Sequence, residues 1–377
     1  MRRELFGPEH ADFRESVRAF LAREAVPHTT EWEEAGMVDR AFWRKAAAQG
    51  LVGFEAPAEL GGADIDDFRF NAIVDEEVAY AGVAGDGFTM ENDIIAPYLV
   101  EHATDAQRAA WLPGFTAGEL VVAIAMTEPG AGSDLRGIES TIRRDGDTYV
   151  VNGSKTFVTS GIQADLVIVA GRTGDSDRLS LVMVEADREG FQRGRKLEKI
   201  GRRAQDTAEL FFDDVRVPLG NLLGSEGRGL DLLKANLPRE RLSMAVSAVA
   251  VGERAFAMTL EHCRDRRTFG KPLGSHQAVR FMLADMRIEL DVARTYIDRC
   301  IAAQTVGELS AEEAAGAKAW ATDLQFSLLD RCLQLHGGYG YMEEYPIARL
   351  WRDGRVQRIY GGANEIMRDI VGRGLGV

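Results

Sequence analysis

The chain has 377 residues, of which 45% are hydrophobic, and a formal net charge of -14 at pH 7. A chain of this length can bury the cores of two or three domains. The acidic balance argues against nonspecific nucleic-acid binding and against adhesion to an anionic membrane surface. A phosphate-bearing ligand would therefore need local basic groups or helix N-termini.

Cysteine usage points to a reducing compartment. Cys263, Cys300 and Cys332 lie far apart in helical patterns, and no CxxC or Cys/His metal spacing appears in the sequence. We therefore expect buried thiols and no metal site. An amphipathic helix begins almost at the N-terminus, without a leader peptide or a long apolar span, so we expect a cytoplasmic protein without a membrane anchor.

The first third of the chain has the spacing of amphipathic helices. Apolar residues recur at helical intervals between Gly and Pro positions, which predicts helices near residues 15–25, 41–49, 68–80 and 106–114. We assign residues 1–122 to an N-terminal α-helical domain.

Residues 123–223 change to short β-rich runs separated by Gly, Asp and Asn. Strands are expected near residues 121–125, 149–151, 155–159, 166–170, 179–184 and 209–212. The pair Asn152-Gly153 is typical of a hairpin turn between two of them. Because no crossover helices separate the runs, the pattern favours a middle antiparallel β domain over a parallel nucleotide-binding sheet.

The helical spacing returns in residues 224–377. A long helix after Gly229 has one apolar face, and further helices are expected at 276–305, 311–335 and 364–372. We predict a C-terminal four-helix-bundle domain, and for the whole chain an α+β fold class.

Two segments of the middle domain carry candidate ligand-binding groups. The segment Ala125 to Asp134 leaves a strand and enters a loop in which Gly132 permits close backbone approach, while Thr127 and Ser133 supply hydroxyls. The loop alone is also compatible with simple turn chemistry, and it lacks the Rossmann spacing. The segment Lys155 to Gly161 predicts a strand with Phe157 and Thr159 on one face, where an aromatic could also be core.

Two further segments lie in the C-terminal domain. Residues 264–271 form a charge run that ordinarily marks a solvated helix face. Residues 334–341 end a helix at Gly337 and Gly338, which alone is an ordinary cap.

Taken together and in this order, the four segments resemble the signatures of the acyl-CoA dehydrogenase family. Residues 201–210, the stretch from Pro238 to Leu242 and the pair Gly361-Gly362 resemble its long-chain branch. The resemblance implies a flavin enzyme that binds FAD and converts an acyl-CoA to a trans-2-enoyl-CoA. An α-proton is lost as the β-hydride passes to flavin N5. The resemblance also implies a homotetramer and an electron-transferring flavoprotein as electron acceptor.

The resemblance carries the family's binding residues onto matching positions. FAD contacts are implied for Met126, Thr127, Gly132, Ser133, Phe157, Thr159, Gln334, Gly337, Gly338 and Asn364. Arg266, Phe269 and Gln277 are implied to meet the FAD of a neighbouring subunit. Substrate contacts are implied for Ser133, Pro238, Arg239, Arg241, Tyr360 and Gly362.

The catalytic base is the informative departure. Most members of the family place a glutamate where this chain has Gly361, whereas the isovaleryl and long-chain branches carry theirs where this chain has Glu240. We therefore expect Glu240 to accept the α-proton and the N–H of Gly361 to bind the thioester carbonyl. From the residues alone, a surface charge is the favoured interpretation of Glu240.

Other functions stay open at this point. The same chemistry could act on an acyl or aminoacyl group tethered to a carrier protein, and the loop from Arg172 to Leu179 is a candidate lining for a CoA entrance. A flavin oxidase, including the nitroalkane type with its aspartate base, is a second alternative. A flavin-binding scaffold without a base is a third, against which Glu240 argues.

Overall fold

The computed structural model describes residues 3–83, 87–174 and 178–376. Helices make up its first part: α1 (Pro8–Glu24), α2 (Thr29–Ala35), α3 (Arg40–Ala48), α4 (Phe68–Ala81) and α5 (Asp105–Thr116), with π-helical segments Thr89–Ile95 and Tyr98–His102 between α4 and α5. Asp39 caps α3 by accepting a hydrogen bond from Ala41 N at 2.9 Å. Gly82 ends α4 in the left-handed conformation, at φ 71°.

The middle part is a mixed, mainly antiparallel sheet. Its strands are β1 (Val122–Ala125), β2 (Thr141–Asp145), β3 (Thr148–Thr159), β4 (Leu166–Thr173), β5 (Leu179–Glu185), β6 (Phe191–Lys196), β7 (Thr207–Pro218) and β8 (Leu222–Leu223). They are arranged in the order β6-β7-β3-β2-β4-β5-β8, and β1 also pairs with β4. The β1–β4 and β2–β4 pairs are parallel, so the expected antiparallel pairing holds for the other pairs only.

The prediction that Asn152-Gly153 forms a hairpin turn is wrong. Both residues lie inside β3, and the reversal between β2 and β3 occurs at residues 146–147. Gly153 sits at a register shift with φ 141°, and a Cβ there would lie 2.2 Å from Ser140 Oγ. Gly153 is therefore needed both for a β-bulge and for the close approach of the backbone to Ser140. In the sequence, a glycine at such a bulge looks the same as a glycine in a turn.

Long helices make up the last part. They are α6 (Gly229–Asp265), α7 (Gln277–Thr305), α8 (Ala311–His336), α9 (Pro346–Gly354) and α10 (Asn364–Gly374), with a small hairpin of β9 (Arg267–Thr268) and β10 (Lys271–Pro272) after α6. Helix α6 begins well before Pro238, so Glu240 lies inside the helix and not at its start. Among the residues described, no helix has the length and apolar character required to cross a bilayer.

Helix α6 joins the two helical parts of the molecule. Its apolar face, which includes Leu242, Ala245, Val246 and Val249, is buried as predicted. This face packs in one cluster with α4, α7 and α8, through Phe68, Ala72, Ile297, Ala317 and Ala321. Side chains on α6 are therefore held rigidly by three neighbouring helices. The exact domain boundaries at residues 122 and 223 stay predictions.

Candidate active site

Glu240 is a buried carboxyl with unused hydrogen-bonding capacity. Its side chain is 4% exposed. Its Oε1 has no hydrogen-bond partner among the described residues. Burial raises the pKa of Glu240 to about 7, against the opposing effect of the Arg241 guanidinium, while Asp93 raises it further. A carboxyl whose pKa lies near neutrality is suited to accept a proton.

The predicted substrate residues beside Glu240 are also enclosed. Arg239 pairs with Glu55 and donates to the carbonyl oxygen of Asn92 at 3.2 Å. Arg241 is 7% exposed, and its Nε has no hydrogen-bond partner among the described residues. Pro238 lies inside α6 and lacks the N–H that would continue the helical ladder.

Residues 359–366, here called the tail, meet α6 at Gly361. The backbone there has φ 64°, and a Cβ would lie 2.2 Å from Met244 Sδ. Gly362 follows with φ 92°. Met244 is one helical turn beyond Glu240, so the two side chains share a face of α6. Gly361 thus lies against the face of α6 that carries Glu240 one turn earlier, and Met244 fills the space that a side chain at 361 would need.

Lys318, which was not among the predicted site residues, holds the tail against α8 by hydrogen bonds. It is fully buried on α8, and its Nζ donates to Gly362 O at 2.7 Å and to Asn364 Oδ1 at 2.9 Å. Burial lowers the pKa of Lys318 to about 8, and Arg241 lowers it further. A lysine among alanines on a helix is the only signal in the sequence that could have indicated this role.

The FAD contact expected for Asn364 does not fit this geometry. The side chain is 1% exposed. Its amide nitrogen donates to Ala319 O, Thr322 Oγ1 and Asp323 Oδ1, at 3.2, 3.0 and 3.1 Å respectively. Because a side-chain amide has two N–H groups, these acceptors leave none for a ligand. Asn364 instead holds the tail to α8.

A cavity of about 100 Å³ opens between the three parts of the chain. Thr159 from β3 and Tyr360 from the tail, both predicted site residues, line it together with Met244 from α6, which was not predicted. Gln325 and Gln357 also line it, with buried amide atoms that have no hydrogen-bond partner among the described residues. Buried amide groups of this kind fit a polar ligand, since their desolvation otherwise costs free energy.

The end of β3 presents Phe157 to solvent. Phe157 does not follow the alternation of a regular strand. The pairing of β3 with β7 is irregular between Lys155 and Val158, and the backbone of Phe157 is left-handed, with φ 57°. The ring is 67% exposed. A phenylalanine held in a strained, exposed conformation beside Thr159 offers a face on which a flat ring system can pack.

A buried ion pair supports the neighbouring loop. Lys155 Nζ contacts Glu128 Oε1 at 2.7 Å and donates to Met126 O at 3.2 Å. Glu128 in turn accepts from the N–H groups of residues 139 and 140 at 2.6 and 3.0 Å. Thr156 N donates to Thr127 O at 2.9 Å. Neither Lys155 nor Glu128 is among the predicted site residues, although both lie in the segments that predicted ligand binding.

These features fit FAD. Gly132 and Ser133 are exposed, and no atom lies within 4 Å of the position that a Cβ on Gly132 would take. The backbone can therefore approach a ligand closely there. The open loop, the exposed Phe157 ring and the Thr159 hydroxyl beside the cavity can hold an isoalloxazine.

The remaining cofactor residues form a separate exposed group on the C-terminal helices. Gly337 ends α8 with φ 60°, as the sequence predicted. Arg266 lies over the Tyr339 ring, with Cζ 5.7 Å from the centroid. Phe269 is 97% exposed. Gln277, Gln334 and Gly338 are also exposed. Among the described residues, the lining of the cavity includes none of this group. For Arg266, Phe269 and Gln277 this accords with the expected contacts to another subunit's cofactor.

Residues 175–177 of the loop that was considered for a CoA entrance lie outside the described residues. In the part of the chain that is described, no cluster of three metal-ligating side chains occurs.

Comparison with known proteins gives the same identification along the whole chain. Residues 7–119, 123–215 and 227–376 match, respectively, the N-terminal, middle and C-terminal domains of the acyl-CoA dehydrogenase family. The long-chain specific acyl-CoA dehydrogenase, mitochondrial, of Sus scrofa is 46% identical over 376 residues, which cover 98% of this chain and 87% of that protein.

Solved structures match equally well. An acyl-CoA dehydrogenase from Geobacillus kaustophilus has a TM-score of 0.96 and 44% identity, with all of both chains covered. An acyl-CoA dehydrogenase complexed with FAD from Bacillus anthracis has a TM-score of 0.92 and 29% identity, covering 98% of this chain and 67% of that one. The resemblance inferred from the motifs, including the long-chain branch, is confirmed. The chain is a member of the acyl-CoA dehydrogenase family, an FAD-dependent oxidoreductase.

Proposed function

We propose that this enzyme dehydrogenates an acyl-CoA between its α and β carbons, with Glu240 as the group that accepts the α-proton. One observation carries the proposal: a buried carboxyl with an unpartnered oxygen lies on the same face of α6 as Met244, which contacts the tail at Gly361. Within reach of the tail, Glu240 supplies the carboxylate that position 361 lacks.

The surroundings of Glu240 prepare it for this role. Burial raises its pKa to about 7, so it is partly ionised at neutral pH and becomes more basic as substrate excludes water. Arg241 next to it favours the ionised form, which keeps the carboxylate available. A carboxyl without such a partner would stay protonated in the interior and could not act as a base.

The tail positions the thioester. Gly361 and Gly362 have left-handed conformations, and Lys318 holds the carbonyl oxygen of Gly362. An N–H of Gly361 aimed at the thioester carbonyl would stabilise the negative charge that develops as the α-proton leaves. When bound, FAD supplies the acceptor for the hydride equivalent from the β carbon.

Removing the charge of Glu240 tests the proposal. We expect Glu240→Gln to bind FAD normally and to lose turnover by about 10²- to 10⁴-fold, the usual contribution of a general base. Glu101→Gln, an exposed carboxyl of the N-terminal part, is the matched control and should turn over normally. The measurement is anaerobic bleaching of the flavin by a panel of acyl-CoAs. Undiminished bleaching in Glu240→Gln would reject Glu240 as the base.

The electron acceptor separates a dehydrogenase from an oxidase. We propose that the reduced enzyme passes electrons to an electron-transferring flavoprotein and reacts slowly with oxygen. An artificial one-electron acceptor should therefore support much faster turnover than oxygen does, as followed by dye reduction and by peroxide release. Rapid peroxide release would favour the oxidase. Parallel assays with acyl-carrier proteins test the carrier-bound alternative.

We further propose that the enzyme is a cytoplasmic homotetramer. Helix α7 leaves an apolar stripe exposed, with Phe281, Ile288, Val292 and Tyr296 at 60, 61, 55 and 38% exposure. Their spacing places them along neighbouring turns of the helix, so they offer a surface on which a second copy can pack. Contacts of Arg266, Phe269 and Gln277 with a neighbour's FAD require such an assembly.

A further inference from the structure

One face of α6 follows the cavity and changes from acidic to basic along its length. Successive residues of a helix project about 100° apart, so positions 240, 244, 247, 251 and 254 fall within an arc of roughly 80°. The middle three, Met244, Ser247 and Val251, line the cavity. Glu240 lies one turn before them and Arg254 one turn after them on the same helix. This face of α6 therefore begins with a carboxyl and ends with a guanidinium.

The guanidinium of Arg254 lies against the wall of the cavity. Gly82, which ends α4, lines the cavity, and a Cβ there would lie 2.6 Å from both Cζ and Nη2 of Arg254. The backbone of α4 can approach the guanidinium this closely because position 82 has no side chain. Val83, which follows Gly82, and Val251, one turn before Arg254, line the cavity with apolar groups. A basic group thus lies at an apolar end of the cavity.

Arg254 lacks a counter-charge among the residues that the structure describes. Its Nε is buried without a hydrogen-bond partner there, and no described carboxylate acts on its charge. The adjacent Glu253 accepts hydrogen bonds from Arg294, at 3.0 and 2.6 Å, and from the hydroxyl of Tyr80. The carboxyl nearest to Arg254 in the sequence is therefore already used by other donors.

A second cation, Arg349 of α9, acts on Arg254. Burial lowers the pKa of Arg254, and the like charge of Arg349 lowers it further. Arg349 is itself poorly neutralised, because Glu33 Oε1 lies 3.5 Å from its Nε and also pairs with Arg352 at 3.2 Å. An anion beside both guanidiniums would offset their repulsion.

The acidic residues that line the cavity leave this end basic. Asp75 lies seven residues before position 82 on α4, which places it roughly 10 Å away along the helix. Asp353 of α9 accepts a hydrogen bond from Arg202 N at 2.6 Å and lies 3.6 Å from Arg352 Nε. Neither carboxyl is an effective partner for the guanidinium of Arg254.

We propose that the cavity accepts a long acyl chain whose far end carries a carboxylate, and that Arg254 binds this carboxylate. The inference rests on the proposed function, in which the acyl-CoA presents its α carbon to Glu240. A guanidinium suits a carboxylate because it can donate two parallel hydrogen bonds to it. A chain that ends in a methyl group would instead remove water from the cation without replacing it by an acceptor.

The length of α6 between the two charged groups sets the length of the chain. Glu240 and Arg254 are fourteen residues apart, which corresponds to roughly 21 Å along the helix axis. With C–C bonds of about 1.5 Å, an extended chain advances roughly 1.25 Å per carbon, so about 16 carbons span this distance. A diacid of about ten carbons would leave its carboxylate unpaired in the apolar part of the cavity. The preference for a terminal carboxylate should therefore depend on chain length.

Binding of CoA thioethers to the FAD-loaded enzyme tests the inference without turnover. In a thioether, a CH₂ group replaces the thioester carbonyl, so the α-proton is not acidic. Two thioethers of about 16 carbons, one with a terminal carboxylate and one with a terminal methyl group, are compared by isothermal titration calorimetry. We expect the parent enzyme to bind the carboxylate form about 10- to 100-fold more tightly, as for a hydrogen-bonded charged group. A matched pair of about ten carbons should show no such preference.

Arg254→Leu should abolish the preference by weakening the carboxylate form while binding of the methyl form is retained or becomes tighter. Lys234→Leu is the matched control, since it removes an exposed cation from the same helix and should leave both affinities unchanged. Equal weakening of both ligands in Arg254→Leu would show a merely structural role for Arg254 and overturn the inference. The comparison of ligands on the parent enzyme does not depend on the folding of either variant.

The outcomes separate this inference from the proposed function. Equal binding of the two longer thioethers by an enzyme that oxidises acyl-CoA would refute the carboxylate site and leave the proposed function intact. Conversely, preference for the carboxylate form that is lost in Arg254→Leu would sustain the carboxylate site even if no acyl-CoA reduced the flavin.

Discussion

At the scale of single residues, the contact between Gly361 and Met244 bears on where the base lies. Position 361 has a left-handed backbone, and a side chain there would overlap Met244 Sδ unless Met244 moved. Both conditions disfavour, at position 361, the glutamate that the resemblance implies for most of the family. Glu240, one turn before Met244, is the base that we propose instead.

Gly361→Ala should destabilise the fold more than the addition of one methyl group usually does. A left-handed conformation costs a residue with a Cβ roughly 1–2 kcal/mol, and the contact with Met244 adds to this. We expect a clear decrease in Tm and in kcat, measured by thermal unfolding and by steady-state kinetics.

Gly372→Ala is the control for Gly361→Ala. It lies in α10 with open space at its Cβ position and should gain stability, by up to about 1 kcal/mol. Adding Met244→Ala should restore part of the loss in Gly361→Ala by removing the overlap. No change of Tm in Gly361→Ala would contradict the assigned contact.

The motifs could predict the identities of Glu240 and Gly361 but not the residues that support them. Both lie at positions where a family pattern is readable in the sequence. Met244 and Lys318 act through contacts between segments that are more than forty residues apart. No local pattern records such a contact.

At the scale of elements, Lys318 joins α8 to the tail. Replacing it with methionine keeps the length of the side chain, leaves Gly362 O without this buried donor, and removes the shorter of the two hydrogen bonds to Asn364 Oδ1. An unsatisfied buried group costs about 1–3 kcal/mol. We therefore expect Lys318→Met to lower Tm and kcat, and to increase hydrogen–deuterium exchange in residues 359–366 specifically.

Lys234→Met serves as the comparison, since Lys234 is exposed on α6. It should leave the exchange of the tail unchanged. Equal exchange in both variants would show that Lys318 does not hold the tail.

The elements themselves were largely predictable, and the exceptions have physical causes. Helical spacing located α4, α7 and α8 to within one or two residues. The strand β6 was missed because its sequence Phe191–Lys196 is mainly polar and it pairs at the edge of the sheet. The hairpin turn predicted at Asn152-Gly153 was wrong because turns and bulges both use glycine at unusual φ.

At the scale of the whole molecule, the exposed stripe on α7 should bury itself in an assembly. Ile288→Glu places a charge in the middle of this stripe, and a desolvated charge without a partner disfavours association. We expect a smaller species in sedimentation velocity, with weaker FAD retention because residues near 266–277 would lose their partner subunit.

Val26→Glu is the control for the assembly, since Val26 is 45% exposed on the N-terminal helices. It should sediment as the parent enzyme does. An unchanged sedimentation coefficient for Ile288→Glu would exclude α7 as the interface.

The overlap of position 361 with Met244 also bears on how the family diverged. A side chain at 361 would have to displace Met244, which lies one turn from Glu240 on α6. An acid placed at 361 would therefore meet both a crowded methionine and a second carboxyl nearby on the helix. The residues at 240, 244 and 361 are linked in this way, so a change at one of them alters what the other two can be.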